Sequence, residues 1–357
     1  MAATSTALPP PPGFVKELAE QVGSSSSAVP SLFITRNQAA DADADADANI
    51  TRQIPSIDFL LLKGGNPDER LRAVRDLGRV FEEWGFFKLV NHGISESLQT
   101  SMVKAFMEFF DQPPEEKHVY NMNQILDSLC YGTGFGLTSK KHWYWRDFLR
   151  MFVRPELHSP AKPADFRAIL EEFVLQTGEV FNELLRAVWE SLELEESFME
   201  DSLQLKTPNQ VLVGNIFPPC PQPELVLGMP PHTDMCLLTL LIQSNAFNGL
   251  QAMHDGKWVL VDLVPPTLFV CTGDFLEIVS NGRYKTTLHR VIVSNEHTRI
   301  SVGTSISPPL EDVVIAPAPE LLSSDCPAIF RGITFKEYAT LKRNHNSTES
   351  TLDVLKL

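Results

Sequence analysis

The sequence predicts a mainly β fold with α: a double-stranded β-helix, or jelly-roll, core with helices packed on one sheet. In the first half of the chain, apolar residues recur at three- and four-residue intervals, the period of amphipathic helices. From Val211 onwards the pattern changes to short β-rich runs separated by Gly, Pro, Asn and Asp. Such spacing is expected of an antiparallel sandwich or barrel. With 357 residues, 43% of them hydrophobic, the chain can build a sizeable core.

The first ordered element is predicted at residues 54–58, a short apolar alternation typical of a strand. Before it, the Asp-Ala repeat at 41–48 has low complexity and repels itself. Such a segment predicts a solvated, disordered loop without a binding role. We therefore expect residues 1–53 to form a mostly flexible N-terminal segment.

Helices dominate the prediction for the next part of the chain. Apolar residues from Leu71 to Trp84 predict an amphipathic helix that ends at Gly85, and a strand follows at 86–90. A second helix is expected at about 95–110, capped by Ser95 or Ser97. A long helix at about 164–194 carries one apolar face. We interpret 54–205 as a helical N-terminal region, and its segment 120–155 as helical too.

The β-rich runs define the predicted catalytic core at 206–310. They fall at 211–217, 237–242, 250–253, 258–261, 268–272, 284–293 and 299–306. Asn281-Gly282 stands between two further runs and is typical of a tight hairpin turn. The remaining residues, 311–357, are expected to form a C-terminal helical segment and tail.

Composition limits the partners of the protein. A net charge of −15 argues against nucleic acid and anionic membranes, and no run approaches the roughly 18 apolar residues of a membrane helix. The start lacks the basic and apolar regions of a secretory signal, although its Ala/Ser content leaves a plastid transit peptide open. Five scattered cysteines favour reduced thiols in a cytoplasmic protein. We expect a monomer with a small-molecule substrate.

His232 and Asp234, with the distant His289, form the most informative pattern. H-x-D alone arises by chance in many chains, but here a second histidine and an R-x-S motif follow it in order. Two imidazoles and one carboxylate bind one face of an octahedral Fe(II) and leave three positions for a co-substrate and O₂. The alternative is a core histidine, a turn aspartate and a surface arginine that never meet.

Arg299 and Ser301 follow the distal histidine. Side chains two positions apart on a strand lie on the same face. A guanidinium and a hydroxyl on one face suit a small carboxylate that also chelates the metal.

Together these motifs resemble the plant 2-oxoglutarate- and Fe(II)-dependent dioxygenases, a family of hormone and specialised-metabolite enzymes. The resemblance covers nearly the whole ordered length. The matching segments are 54–58, 84–87, 91–93, 215–223, 231–234, 249–251, 273–274, 280–282, 289–290 and 299–301.

The resemblance implies a role for each motif. The His-Asp-His triad would bind Fe(II), Arg299 and Ser301 would hold the distal carboxylate of 2-oxoglutarate, and Asn215 stands where the family often contacts this co-substrate. The enzyme would use O₂ to hydroxylate or desaturate a small plant metabolite or hormone. Succinate and CO₂ would be the co-products, with ascorbate as the reductant.

The chain departs from this family at Phe217, where a tyrosine is usual. The tyrosine hydroxyl normally donates a hydrogen bond to 2-oxoglutarate, and its loss removes about 1.5–3 kcal/mol at most. Two alternatives stay open, the first of them motivated by Phe217. One is an Fe(II) oxidase of the same fold that does not use 2-oxoglutarate, and the other is a non-catalytic jelly roll that binds a metabolite.

The substrate pocket is predicted at the barrel mouth, between the strand after Arg299, the segment before Asn215 and the segment 120–155. Candidate substrate contacts, each equally compatible with ordinary packing, are Phe135, Phe148, Met151, Val213, Phe217, Ser305 and Ser307.

Two further features bear on the substrate. Flavonoid-acting relatives tend to have phenylalanine and glutamate where this chain has Ser305 and Ser307, so the two serines argue against a flavonoid. The aromatic run at 142–145 suits stacking, and Arg146 or Arg150 is a candidate partner for a substrate carboxylate.

Overall fold

The computed structural model describes residues 14–23, 28–35, 53–122, 127–134, 143–310, 313–344 and 350–357. The Asp-Ala repeat at 41–48 lies outside the described residues, so the predicted loop there stays a prediction. Within the described ranges, no helix is long and apolar enough to cross a membrane.

The α-helices of the described chain are α1 (Val15–Gly23), α2 (Phe59–Gly64), α3 (Pro67–Glu83), α4 (Glu96–Phe110), α5 (Pro114–His118), α6 (Phe166–Ser191), α7 (Glu196–Asp201), α8 (Asp274–Val279) and α9 (Phe335–Asn344). The strands are β1 (Ser56–Asp58), β2 (Phe86–Val90), β3 (Leu129–Thr133), β4 (Asp147–Arg154), β5 (Asn209–Phe217), β6 (Met229–His232), β7 (Leu238–Gln243), β8 (Leu250–His254), β9 (Lys257–Leu260), β10 (Leu268–Thr272), β11 (His289–Val291), β12 (Arg299–Ser307), β13 (Val314–Ile315) and β14 (Ile333–Thr334).

Two sheets form the core, as the sequence predicts. The larger has eight strands in the order β1-β2-β10-β7-β12-β5-β4-β3, and the smaller has four in the order β6-β11-β8-β9. All pairs are antiparallel except β1 with β2. An apolar cluster that includes Leu250, Val259, Phe269 and Val291 joins the two sheets.

The long helices cover one face of the large sheet. Helix α6 packs on α3 and α4, and α4 lies against β5 and β12. Gly214 makes the last contact possible, because a Cβ at this position of β5 would lie 2.0 Å from the ring of Phe106 on α4. The opposite face of the same strands is therefore free to line a cavity between the sheets.

Several predicted elements are confirmed. Helix α3 ends before Gly85, which adopts φ +74°, and the Ser95 side chain accepts a hydrogen bond from the Leu98 backbone N–H at the start of α4. Six of the seven predicted β runs coincide with strands to within two residues at either end. The run at 284–293 is shorter, since only His289–Val291 forms a strand.

Two predictions are wrong. The described residues of 120–155 form no helix, because β3 and β4 extend the large sheet there. Both faces of β4 are covered, so this strand lacks the alternation of a half-exposed strand. Asn281-Gly282 is not a hairpin turn. It follows α8, with φ values of 49° and 79°, because an Asn-Gly pair in the left-handed region also ends helices.

Candidate active site

Two histidines face each other across neighbouring strands of the small sheet. His232 is the last residue of β6, and its register partner is His289, the first residue of β11. Their ring centroids lie 4.1 Å apart. Strand pairing thus brings together two side chains that are far apart in the sequence.

Asp234 completes the cluster from the loop after β6. Its Oδ1 lies 3.8 Å from the Nε2 atom of each histidine, and the three ligand atoms lie within 4.8 Å of one another. Thr239 Oγ1 donates to Oδ2 at 2.7 Å, which fixes the carboxylate. The three predicted ligands therefore meet at one point.

Hydrogen bonds set the orientation of both imidazoles. His232 Nδ1 lies 2.8 Å from the carbonyl oxygen of Pro230, and His289 Nδ1 lies 3.0 Å from that of Thr287. A proton on Nδ1 donates to each carbonyl and leaves the Nε2 lone pair directed at Asp234, the arrangement of metal-binding histidines. The donor set and its supporting bonds fit a single Fe(II) ion.

The electrostatics favour the metal-binding protonation states. Burial, followed by the electrostatic interaction with His289, lowers the pKa of His232 to about 3. Burial alone would raise the pKa of Asp234, but the two histidines and the Thr239 hydrogen bond outweigh it and lower this pKa below its ordinary value. Metal binding needs a neutral imidazole and an ionised carboxylate, and these two residues supply them near neutral pH.

Arg299 is a buried cation in the same cavity. Its side chain is 1% exposed, and burial lowers the pKa of the guanidinium to about 9. Nε and Nη2 donate to Gln243 Oε1 at 3.0 and 2.7 Å, whereas Nη1 has no hydrogen-bond partner among the described residues. A buried guanidinium with a spare donor fits the distal carboxylate of 2-oxoglutarate.

Strand alternation brings the other predicted co-substrate contacts to the same side. Every second residue of β12, from Arg299 to Ser307, lines the cavity. Ser301 is the register partner of Asn215 on β5, which lines it too. The Asn215 side-chain oxygen accepts a hydrogen bond from Arg146 Nη1 at 2.6 Å.

The cavity has a volume of about 320 Å³. Of the predicted substrate contacts, Phe148, Val213, Ser305 and Ser307 line it. Phe135 lies outside the described residues.

Two predicted substrate contacts are corrected, because neither belongs to the described residues that line the cavity. Met151 lies on the other face of β4 from Phe148, in the core beneath the helices. Phe217 packs in the core between the sheets, and its ring centroid lies 5.2 Å from the Arg299 guanidinium carbon. Phe217 thus packs against the arginine.

The sequence reasoning missed a buried ion pair behind the triad. Lys342 Nζ on α9 lies 2.6 Å from Asp274 Oδ2 and 2.7 Å from the carbonyl oxygen of Thr233. Thr233 is the residue between His232 and Asp234. The Asp274 backbone N–H donates to the carbonyl oxygen of Asp234 at 2.8 Å. The Gly273-Asp274 motif was the available signal, but nothing local in the sequence identifies the lysine.

Comparisons with known proteins agree with this geometry. Residues 208–308 match the 2OG-Fe(II) oxygenase superfamily, and 54–169 match the N-terminal region described as non-haem dioxygenase in morphine synthesis. The chain is 41% identical to 2-oxoglutarate-dependent dioxygenase 19 of Oryza sativa subsp. japonica, over 90% of this chain and 95% of that protein. It is 34% identical to a leucoanthocyanidin dioxygenase of Malus domestica, over 92% and 95% respectively.

Solved structures give the same result. The crystal structure of JOX2 in complex with 2OG, Fe and JA superposes with a TM-score of 0.83 at 27% identity, covering 98% of this chain and 99% of that one. The AtDAO1–2-oxoglutarate complex from Arabidopsis thaliana, a dioxygenase for auxin oxidation, has a TM-score of 0.65 at 25% identity, covering 77% and 99%.

Fold, site and relatives together define a non-haem iron oxygenase with a jelly-roll core. The chain belongs to the 2OG-Fe(II) oxygenase superfamily. It is a dioxygenase whose cofactors are Fe(II) and 2-oxoglutarate. The fold, the site and the relatives are explained without either alternative hypothesis, the Fe(II) oxidase that does not use 2-oxoglutarate or the non-catalytic jelly roll.

Proposed function

We propose that His232, Asp234 and His289 bind Fe(II), and that Arg299 and Ser301 bind 2-oxoglutarate beside it. The observation that carries this proposal is the pairing of a His-Asp-His cluster with a buried guanidinium whose Nη1 lacks a described partner, in one cavity. The cluster supplies the ligands of an octahedral ferrous ion, and the guanidinium supplies the countercharge for a dicarboxylate.

The bound Fe(II) and 2-oxoglutarate supply the oxidation of an unactivated C–H bond by O₂, with succinate and CO₂ as co-products. The protein contributes orientation and exclusion of water. Gln243 Oε1 accepts hydrogen bonds from Nε and Nη2 of Arg299, so the co-substrate carboxylate meets a fixed cation. Thr239 holds one carboxylate oxygen of Asp234 and leaves the other for the metal.

We propose a substrate of plant hormone or specialised metabolism. The cavity volume of about 320 Å³ is at the lower end of ligand pockets, which suits a compact molecule. Relatives of this chain include leucoanthocyanidin dioxygenase, the JOX2 complex with JA and a dioxygenase for auxin oxidation. Ser305 and Ser307 line the cavity where flavonoid-acting relatives tend to have phenylalanine and glutamate, which supports a substrate other than a flavonoid.

We further propose a monomeric, cytoplasmic enzyme. All five cysteines are free, and four of them are buried, as expected of thiols kept reduced. Size-exclusion chromatography with light scattering tests the monomer, and a fluorescent fusion in plant cells tests the compartment.

A metabolite screen tests the proposed function. The purified protein is incubated with a plant extract, Fe(II), 2-oxoglutarate and ascorbate, and products are identified by mass spectrometry. We expect a metabolite that gains one oxygen atom or loses two hydrogen atoms, together with succinate. The Asp234→Ala variant is the control and should give neither. Equal conversion by wild type and variant would contradict the proposal.

A further inference from the structure

The cavity is positively charged although the protein is acidic. Its described lining contains three arginines and one lysine but a single carboxylate, Asp234. The whole chain carries a net charge of −15. An excess of positive charge in the pocket of an acidic protein favours an anionic ligand there.

Two of the four cations are assigned elsewhere, and a third lies at the co-substrate end of the cavity. Lys342 pairs with the buried Asp274 at 2.6 Å. Arg146 donates to Asn215 at 2.6 Å, close to the end of the cavity that holds the predicted co-substrate contacts. Arg299 is assigned to 2-oxoglutarate by the proposed function. The remaining cation is Arg150.

Arg150 has only uncharged partners among the described residues. Nη2 donates to the backbone carbonyl oxygen of Asp127 at 3.2 Å, the Phe152 ring centroid lies 5.9 Å from the guanidinium carbon, and Cys130 is its register partner on β3. Nε is buried without a hydrogen-bond partner in the described chain. A ligand carboxylate would satisfy this donor and balance the charge.

The position of Arg150 in the sheet sets the length of the ligand. Its register partner on β5 is Val213, which pairs with Gly303 on β12, and Gly303 pairs with Leu241 on β7. Neighbouring strands are about 4.8 Å apart, so Arg150 lies roughly 14 Å from β7 along the curved sheet. Strand β7 also carries Thr239, the partner of Asp234.

The cavity wall between Arg150 and β7 is apolar, and its side chains are small. Val213 and Gly303 line the cavity along the row between Arg150 and β7, and Phe148 lines it beside them. A ligand here would present an apolar body to the sheet. One end would meet Arg150, and the other would reach the triad.

We propose that Arg150 binds the carboxylate of the substrate, so that this enzyme oxidises small, otherwise apolar organic acids at a carbon remote from the carboxylate. The inference rests on the proposed function and deepens it by naming the substrate class. Arg150 is thus a specificity-determining residue at the end of the cavity opposite the metal.

Ligand binding to the loaded protein tests this assignment. The full chain with Fe(II) and 2-oxoglutarate under argon is titrated calorimetrically with aromatic and alicyclic monocarboxylates, each beside its methyl ester. We expect acids to bind, and their esters to bind roughly tenfold more weakly or worse, because the ester loses a charge-assisted hydrogen bond. The Arg150→Gln variant should bind acid and ester alike, and Arg150→Lys should keep part of the preference.

Controls separate the possible failures. Arg72→Gln, on the exposed face of α3, should retain the full preference for acids. Binding of no acid, equal binding of acid and ester by the wild type, or an intact preference in Arg150→Gln would overturn the assignment. If the wild type forms succinate but binds acid and ester equally, only the role of Arg150 is wrong. If it forms no succinate at all, the proposed function itself fails.

Discussion

Arg299 is a cation with almost no exposure to water, and no described carboxylate lies beside it. Gln243 holds the guanidinium but cannot neutralise it. Burying an uncompensated charge costs free energy, and a protein retains such a group where a ligand supplies the opposite charge. At this position, function takes precedence over stability.

Replacement of Arg299 by glutamine should weaken 2-oxoglutarate binding by roughly ten- to a hundredfold, because one charge-assisted contact is lost. The free energy of unfolding should not fall, since the buried charge is removed as well. Calorimetric titration with 2-oxoglutarate and urea unfolding measure the two effects. Unchanged affinity for 2-oxoglutarate would show that its carboxylate binds elsewhere.

Removal of any ligand of the triad should abolish tight metal binding. We expect no saturable Co(II) binding by the single variants His232→Ala, Asp234→Ala and His289→Ala, measured by calorimetry and by the visible spectrum of Co(II). Circular dichroism should show an intact fold. The exposed His297 serves as a control, because His297→Ala should bind Co(II) as the wild type does. Tight binding by a triad variant would remove that residue from the metal centre.

A buried charged side chain helps to attach each of two helices to the core. The first is α1, whose leading backbone N–H groups at Val15 and Lys16 each donate to the buried Asp147 carboxylate at 2.9 Å. Asp147 is the first residue of β4, so the N-terminal helix is attached to the strand that carries Arg150.

Loss of this cap should release α1. We expect Asp147→Ala to raise amide hydrogen exchange across residues 15–23, because two helix-terminal donors lose their acceptor. Asp165→Ala is the matched control, since Asp165 precedes α6 without a side-chain capping bond. Exchange in α1 equal to that of the wild type would show that packing alone holds the helix.

The second attached helix is α9, which Lys342 joins to the loop of His232 and Asp234. Lys342→Met should destabilise the protein by about 3–5 kcal/mol, because it leaves the Asp274 carboxylate buried without its cation. Urea unfolding measures this loss. Lys336→Met, at an exposed position of the same helix, should change stability little, and a similar small effect at Lys342 would contradict the account.

The elements that the sequence predicts are those decided by local chemistry. The Ser95 cap involves α4 alone, the apolar period of α3 involves that helix alone, and the β-rich runs have turn residues beside them. Strand β4 was not predicted, because packing on both faces removes the alternation of apolar and polar residues. The Asp274–Lys342 ion pair was not predicted either, because the two residues are 68 positions apart and neither belongs to a metal-ligand motif.

At the scale of the whole molecule, closure of two sheets creates the site. The small sheet contributes both histidines, the large sheet contributes Arg299 and Ser301, and the cavity lies between them. The motif could be predicted because its spacing is specific. The direction of each side chain could not, as Met151 shows, because it depends on strand register.

The central claim is that this cavity couples O₂ to 2-oxoglutarate through a ferrous ion held by the triad. The most direct test measures succinate formed from 2-oxoglutarate by the purified protein, with and without Fe(II). We predict succinate formation that needs Fe(II), stops on chelation, returns when Fe(II) is restored, and is absent in Asp234→Ala. Succinate formed at the same rate by the chelated wild type or by Asp234→Ala would contradict the account.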